Sequence, residues 1–200
     1  MVTTTPNYGW PVPTSTDLVK DGATAIEALG DAIDATVFGL PVAGLTLIKT
    51  QTIGTAVSSV NVTSAFSATY DNYLITVAGG VGSASGLLQL QMGATVTGYY
   101  YQYIYSLWNN SILVDAFTTG TKWLYMGGHN ASGLTMHCQV LSPNLAKPTR
   151  VTALSSGSLT SDVGSTNGLL NNSTQYTDFT ITPASGTLTG GTIRVYGYKN

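Results

Sequence analysis

The spacing of apolar positions changes once along this chain, near residue 40. Before that point Val19, Gly22, Ile26, Leu29 and Ile33 recur at 3-4-3-4, the seam of a coiled coil. Thr16 stands where an N-cap belongs, with Asp17 beside it on the positive end of the helix dipole. Thr36 and Val37 extend the pattern until Gly39 and Pro41 stop it. The pattern predicts a helical segment over 16–38, preceded over 1–15 by an extended arm holding Trp10, Pro11 and Pro13.

From Leu45 onward the period is two. Leu88, Leu90 and Met92 alternate with glutamines, and Leu134, Met136, Cys138 and Val140 alternate with Thr135, His137 and Gln139. Phe179/Ile181 and Ile193/Val195 repeat the pattern, so each run predicts a strand with one buried face. Gly79-Gly80, Gly127-Gly128-His129-Asn130, Ser142-Pro143-Asn144 and Gly190-Gly191 read as turns between them. Many short strands with no helical pattern after residue 38 predict an all-β head over 39–200, an antiparallel sandwich of jelly-roll type. A fibrous, intertwined β structure would need a short repeat, and none is visible.

The helix cannot stand alone: its seam runs for fewer than three heptads and contains Gly22, and most helical stability comes from packing an apolar face. Its seam Val19, Ile26, Leu29, Ile33 must be buried, either on its own β domain or in a parallel bundle of identical chains. Composition adds a second reason to assemble. Charged residues make up only 8% of the chain, against about 25% in ordinary soluble domains, so its surface is polar but uncharged. Sheet edges are normally protected by charge, and here association would have to cover them.

The first 40 residues hold five acids and one base; the rest hold six bases and four acids. Neither part has the clustered Lys and Arg that phosphate binding needs, so no nucleic-acid partner is expected. The start of the chain lacks a basic, then apolar, leader, and no apolar run approaches the ~20 residues of a membrane span. The chain is therefore expected to be made in a cytoplasm, with no membrane partner. Cys138 is the single cysteine and reads as a small buried hydrophobe.

The aromatic run from Tyr99 to Trp108 is the foremost candidate site. On a strand, Tyr99, Tyr101, Tyr103 and Tyr105 share one face, while Tyr100, Ile104 and Trp108 share the other. Aromatic faces stack on sugar rings and hydroxyls add hydrogen bonds, which suits a glycan. The same residues equally suit a core face backed by a subunit interface. Residues 155–175 form a long polar stretch, either a ligand-facing loop or an ordinary strand-loop-strand. Lys147 and Arg150 read as a solvated loop. His129 and His137 have no metal-ligand spacing with Cys138, so no metal or cofactor is expected. Asp71, Asp115, Asp162 and Asp178 are the only acids of the β body. Glycoside cleavage usually needs two carboxylates a few ångströms apart, so four isolated acids argue against an enzyme.

Three stretches carry a resemblance. Asn7-Tyr8-Gly9-Trp10-Pro11 followed by Thr16-Asp17, Val19-Lys20-Asp21-Gly22-Ala23, Ala25-Ile26, Leu29-Gly30 and Ala32-Ile33-Asp34 resembles a segment of bacteriophage tail, fibre and other virion structural proteins. Phe66 to Ile75 and Gly191 to Tyr198 are similar to their β-rich distal domains. The resemblance implies a homotrimer assembled on the helix, docked through an arm bearing Tyr8 and Trp10 to other virion proteins, and located in the virion. The head would then engage a host-surface glycan. Two alternatives remain open at this point: a capsid or tail decoration protein with no ligand, and a free lectin-like carbohydrate-binding module.

Overall fold

The computed structural model describes residues 3–14, 18–39, 44–109, 111–155 and 162–199. The chain divides into two compact units, Met1–Ala43 and Gly44–Asn200.

In the first unit the arm expected to be extended is a tight hairpin. β1 (Thr3–Thr4) pairs antiparallel with β2 (Pro11–Val12). Gly9, at φ 67°, takes the left-handed conformation the turn requires. Thr5 closes the loop: its N–H donates to the Trp10 carbonyl at 2.9 Å, and its Oγ1 accepts from the Trp10 N–H at 3.0 Å. The helix α1 (Gly22–Gly39) starts later than expected, after a single 3-10 turn at Val19–Asp21. Leu18 is extended at ψ 135°, and Gly22 costs about 1 kcal/mol relative to Ala inside a helix, so the α-helical ladder begins only there. Val19, placed in the seam by its spacing, is 97% exposed in that turn. The cap expected at Thr16 and Asp17 lies outside the described residues.

The seam finds part of its cover inside this unit, an arrangement the sequence did not suggest. β2 packs along α1, and the Trp10 indole N–H donates to Thr36 Oγ1 at 2.9 Å. The Thr36 hydroxyl in turn donates to the Ala32 carbonyl at 2.8 Å. Ala25, Leu29, Ala32, Ile33 and Thr36 are half-buried, whereas Leu18, Ile26, Val37 and Phe38 stay exposed.

The second unit runs through β3 (Leu45–Thr52), β4 (Val60–Val62), β5 (Asn72–Ala78), β6 (Val81–Gly82), β7 (Gly86–Met92), β8 (Tyr99–Leu107), β9 (Ile112–Gly120), β10 (Trp123–Asn130), β11 (Gly133–Leu141), β12 (Thr149–Ser155), β13 (Asp162–Leu170), β14 (Phe179–Pro183), β15 (Leu188–Thr189) and β16 (Thr192–Tyr198). All pairings are antiparallel, and the unit is an all-β sandwich. One layer has the order β4-β14-β7-β10, the other β3-β16-β5-β11. They join at β11, whose first residues pair with β10 (Met136 opposite Gly127). From His137 onward the same edge of β11 pairs instead with β12, and β12-β13-β8-β9 carry that sheet onward as an extension.

The alternation read from the sequence points as expected. Leu88, Leu90, Met92, Met136, Cys138, Val140, Phe179, Ile181, Ile193 and Val195 are all buried in one core. Phe66 bridges it, with ring centroids 4.8 Å from Tyr73 and 5.6 Å from Phe179. Two of the expected turns meet each other: Gly79-Gly80 and Gly190-Gly191 all have positive φ, and a Cβ on Gly80 would strike the Gly190 carbonyl.

Gly127-Gly128-His129-Asn130 is not a turn but the last part of β10. The glycine there answers a close approach, because a Cβ on Gly127 would sit 2.8 Å from Met136 Cβ where the layers join. Residues 162–170 of the long polar stretch are likewise a strand, β13, hydrogen-bonded on both sides, and not a ligand-facing loop.

Candidate functional site

β8 has two faces, and the extension gives them opposite fates. Tyr99, Tyr101 and Tyr103 are buried, so the tyrosine face proposed for ligand contact is core; Tyr105 is half-buried at its end. The reason is β10. Trp123 packs edge-on against Tyr99 (centroids 4.9 Å), and Tyr125 stacks on Tyr103. Between Trp123 and Gly127 the pairing of β10 with β7 slips, and Tyr125 takes φ 57° in that bulge. The slip turns its ring out of the sandwich and toward the extension. The Thr166 hydroxyl donates to the Tyr125 carbonyl at 2.8 Å and holds the bulge.

Two acids belong to this cluster. The Tyr103 hydroxyl donates to Asp162 Oδ2 at 2.6 Å, and the Tyr125 hydroxyl to Asp115 Oδ2 at 2.8 Å. Burial pushes the Tyr101 hydroxyl up to about 12, with the Asp115 charge adding to it. Tyr125 is raised by burial and then by its bond to Asp115. Tyr105 is raised by desolvation and then by both carboxylates. With Tyr103 and Tyr125 each donating to a carboxylate, their geometry is that of a satisfied core. Trp108, one residue past the end of β8, is 67% exposed.

The opposite face is open to solvent. Tyr100, Gln102 and Ile104 point outward, with Tyr100 39% exposed. Register aligns them in rows across four strands: Leu141–Arg150–Leu169–Tyr100, then Gln139–Thr152–Asn167–Gln102, then His137–Leu154–Ser165–Ile104. A one-residue bulge in β9 sets both Thr118 and Thr119 across from Tyr100 and opens a hollow there. The hollow is a cleft of about 370 Å³ lined by Tyr100, Gln102, Thr118, Arg150, Asn167 and Leu169 among others. A second cleft, of about 450 Å³, is lined by Asp71, Asn72, Ser142, Lys147 and Arg150 among others. Arg150 belongs to both. Among the described residues neither Lys147 nor Arg150 has a carboxylate within ion-pair distance. The Thr152 hydroxyl donates to Asn167 Oδ1 at 3.3 Å in the next row.

Sequence reasoning put Tyr100 on the face opposite Tyr99, Tyr101, Tyr103 and Tyr105 without saying which face is open, and assigned no role to Lys147 and Arg150. Their value comes from register, which brings residues 50 positions apart into one row. In the first unit Tyr8 stacks on Trp10 at 5.1 Å; Trp10 is committed to the helix, and Tyr8 is 62% exposed. Cys138 is buried, its thiol pushed up to about 12 by desolvation, while His137 faces solvent on the other side of the strand. Among the described residues no group of three His, Cys, Asp or Glu could hold a metal ion, and no helix is long and apolar enough to cross a membrane.

No protein-family model matches the chain, and no curated protein is similar to it in sequence. Among solved structures it is weakly similar to infectious bursal disease virus, Gt strain, at 12% identity over 76% of this chain and 42% of that one, TM-score 0.14. The VP2 subviral particle of the same virus is similar at 11% identity over 78% and 41%, TM-score 0.12. The chain thus spans about two-fifths of those proteins, and a likeness this weak decides nothing about its function.

Proposed function

We propose that this protein is a non-enzymatic bacteriophage virion component, a homotrimeric short fibre, spike or decoration protein whose β head engages a host-surface glycan. The observation that carries the reading is the division of labour along the chain. A small hairpin-helix unit leaves Leu18, Ile26, Val37 and Phe38 bare, while a large, nearly uncharged sandwich presents an open aromatic and amide surface. Apolar side chains left bare on a short helix call for a partner, and the resemblance of this segment to virion proteins supplies one.

The head supports the same reading. Taking β3, β4, β5, β7, β10, β11, β14 and β16 as strands 1 to 8, the layers have orders 1-8-3-6 and 2-7-4-5, the winding of a jelly roll. Edge strand β9 carries one charge, Asp115, and exposes Ile112, Leu113, Val114 and Phe117. A long apolar edge of this kind is a pairing hazard unless it is covered, and a trimer would cover it. The outward face has an apolar end (Ile104, Val114, Leu154) and a polar-aromatic end (Tyr100, Asn167, Arg150), so assembly at the first leaves the second open.

Binding would work by avidity. Each site is shallow, but linked sites meet the same surface at effective concentrations of about mM, so many weak contacts hold the particle. The test is solution mass by light scattering together with a glycan array, both on the full chain. Three subunits and glycan binding are expected. A trimer that binds no glycan would leave the decoration role, and a glycan-binding monomer would leave the free carbohydrate-binding module.

A further inference from the structure

We propose that the glycan taken by this head is acidic, its carboxylate held by Arg150 and a sugar ring laid on Tyr100. This rests on the glycan reading above and names the class of ligand. Register sets Arg150 opposite Leu169, and Leu169 opposite Tyr100. The guanidinium strand and the tyrosine strand are therefore two sheet spacings apart, about 10 Å, a span suited to one or two linked sugar rings. Leu169 lies between them as a half-buried apolar floor.

Each part of the row has a chemical counterpart on such a ligand. Tyr100 is the exposed aromatic face a sugar ring can cover. Asn167, Gln102 and Thr152, one row away, carry amide and hydroxyl groups that can donate to and accept from sugar hydroxyls. Arg150 offers a planar fork that matches a carboxylate in two parallel hydrogen bonds, and among the described residues no acid is ion-paired to it. Lys147 adds a second cation to the other cleft that Arg150 lines, and Asp71 lines that cleft as well. A small free anion would therefore meet two cations and one acid; a ligand that also covers Tyr100 gains a contact Asp71 does not oppose. In a chain with only seven basic residues, two lining one cleft with no ion pair among the described residues mark it.

The test is calorimetric titration of the full chain with a uronic-acid disaccharide and its neutral counterpart, comparing wild type with Arg150→Gln and Tyr100→Ala. The acidic sugar should bind more tightly, and more weakly as salt rises to about 0.5 M. Arg150→Gln should lower its affinity by about tenfold or more and that for the neutral sugar by much less. Tyr100→Ala should weaken both. Loss of both sugars in Arg150→Gln would mean a damaged fold, and Arg150→Lys, which keeps the charge but not the fork, must then give a selective partial loss or the inference falls. A preference for the neutral sugar that survives Arg150→Gln would overturn the inference and leave the glycan reading intact. Binding of neither sugar, with an empty glycan array, would overturn both.

Discussion

The rings of Tyr103 and Tyr125 stack face to face, centroids 4.3 Å apart and planes 15° from parallel. One comes from the extension of the sheet and the other from a bulge in the sandwich, so this contact fastens the two parts together. Each hydroxyl ends on a different carboxylate, Asp162 for Tyr103 and Asp115 for Tyr125.

Tyr103→Ala should therefore cost about 3–5 kcal/mol in denaturant unfolding, the usual cost of emptying a large aromatic site. Tyr103→Phe keeps the stack and removes only the donor to the buried Asp162, for about 1–3 kcal/mol. Equal losses for the two variants would show that the hydroxyl, not the ring, fastens the extension.

Gly168 on β13 lies directly under Trp123. A Cβ there would stand 2.6 Å from the indole Nε1 and 2.8 Å from Val151 Cγ2. Gly168→Ala should cost about 1–3 kcal/mol by overpacking, seen as a lower melting temperature. An unchanged melting temperature would mean that the indole moves freely in its site.

His129 is wholly buried beside Gly82 and Gly86, and neither ring nitrogen has a hydrogen bond of good geometry. Desolvation lowers its pKa, opposed only in part by the backbone at Ala84 and Leu87. The folded state therefore keeps the ring neutral while the unfolded chain protonates first. Stability should be full above about pH 6.5 and fall as pH drops below it, because the unfolded state then binds more protons. Thermal melts between about pH 7.5 and pH 5 should show this slope, and His129→Gln should flatten it. An equal slope in the variant would assign the effect to other groups.

Ile26→Asp together with Ile33→Asp should turn a trimer into monomers by light scattering, since both side chains lie on the helix seam and Ile26 is 66% exposed. The β head should melt unchanged in the same variant. A mass that stays at three subunits would move the assembly contact to β9, where Val114→Lys is the corresponding probe.

Much of this protein could be read along the chain. Strict alternation at 88–92, 134–140, 179–181 and 193–195 requires one buried and one open face, because successive strand residues point to opposite sides. Those strands appeared with the expected faces inward. The helix and its end at Gly39 were equally local matters. What the alternation of Tyr99, Tyr101, Tyr103 and Tyr105 could not tell is which face would be covered. Both faces of β8 are aromatic, and only the arrival of Trp123 and Tyr125 from β10 makes one of them core. Gly127-Gly128 misled for the same reason: a glycine needed for a close crossing and one needed for a turn are identical in sequence. Likewise the hairpin over the helix seam depends on Trp10 reaching Thr36, 26 residues away. Strand propensity and facing are properties of neighbouring residues, and the sequence alone determined them. The cleft that joins Arg150 to Tyr100 depends on which strands lie side by side, and register between distant strands is set by the packing of the whole core.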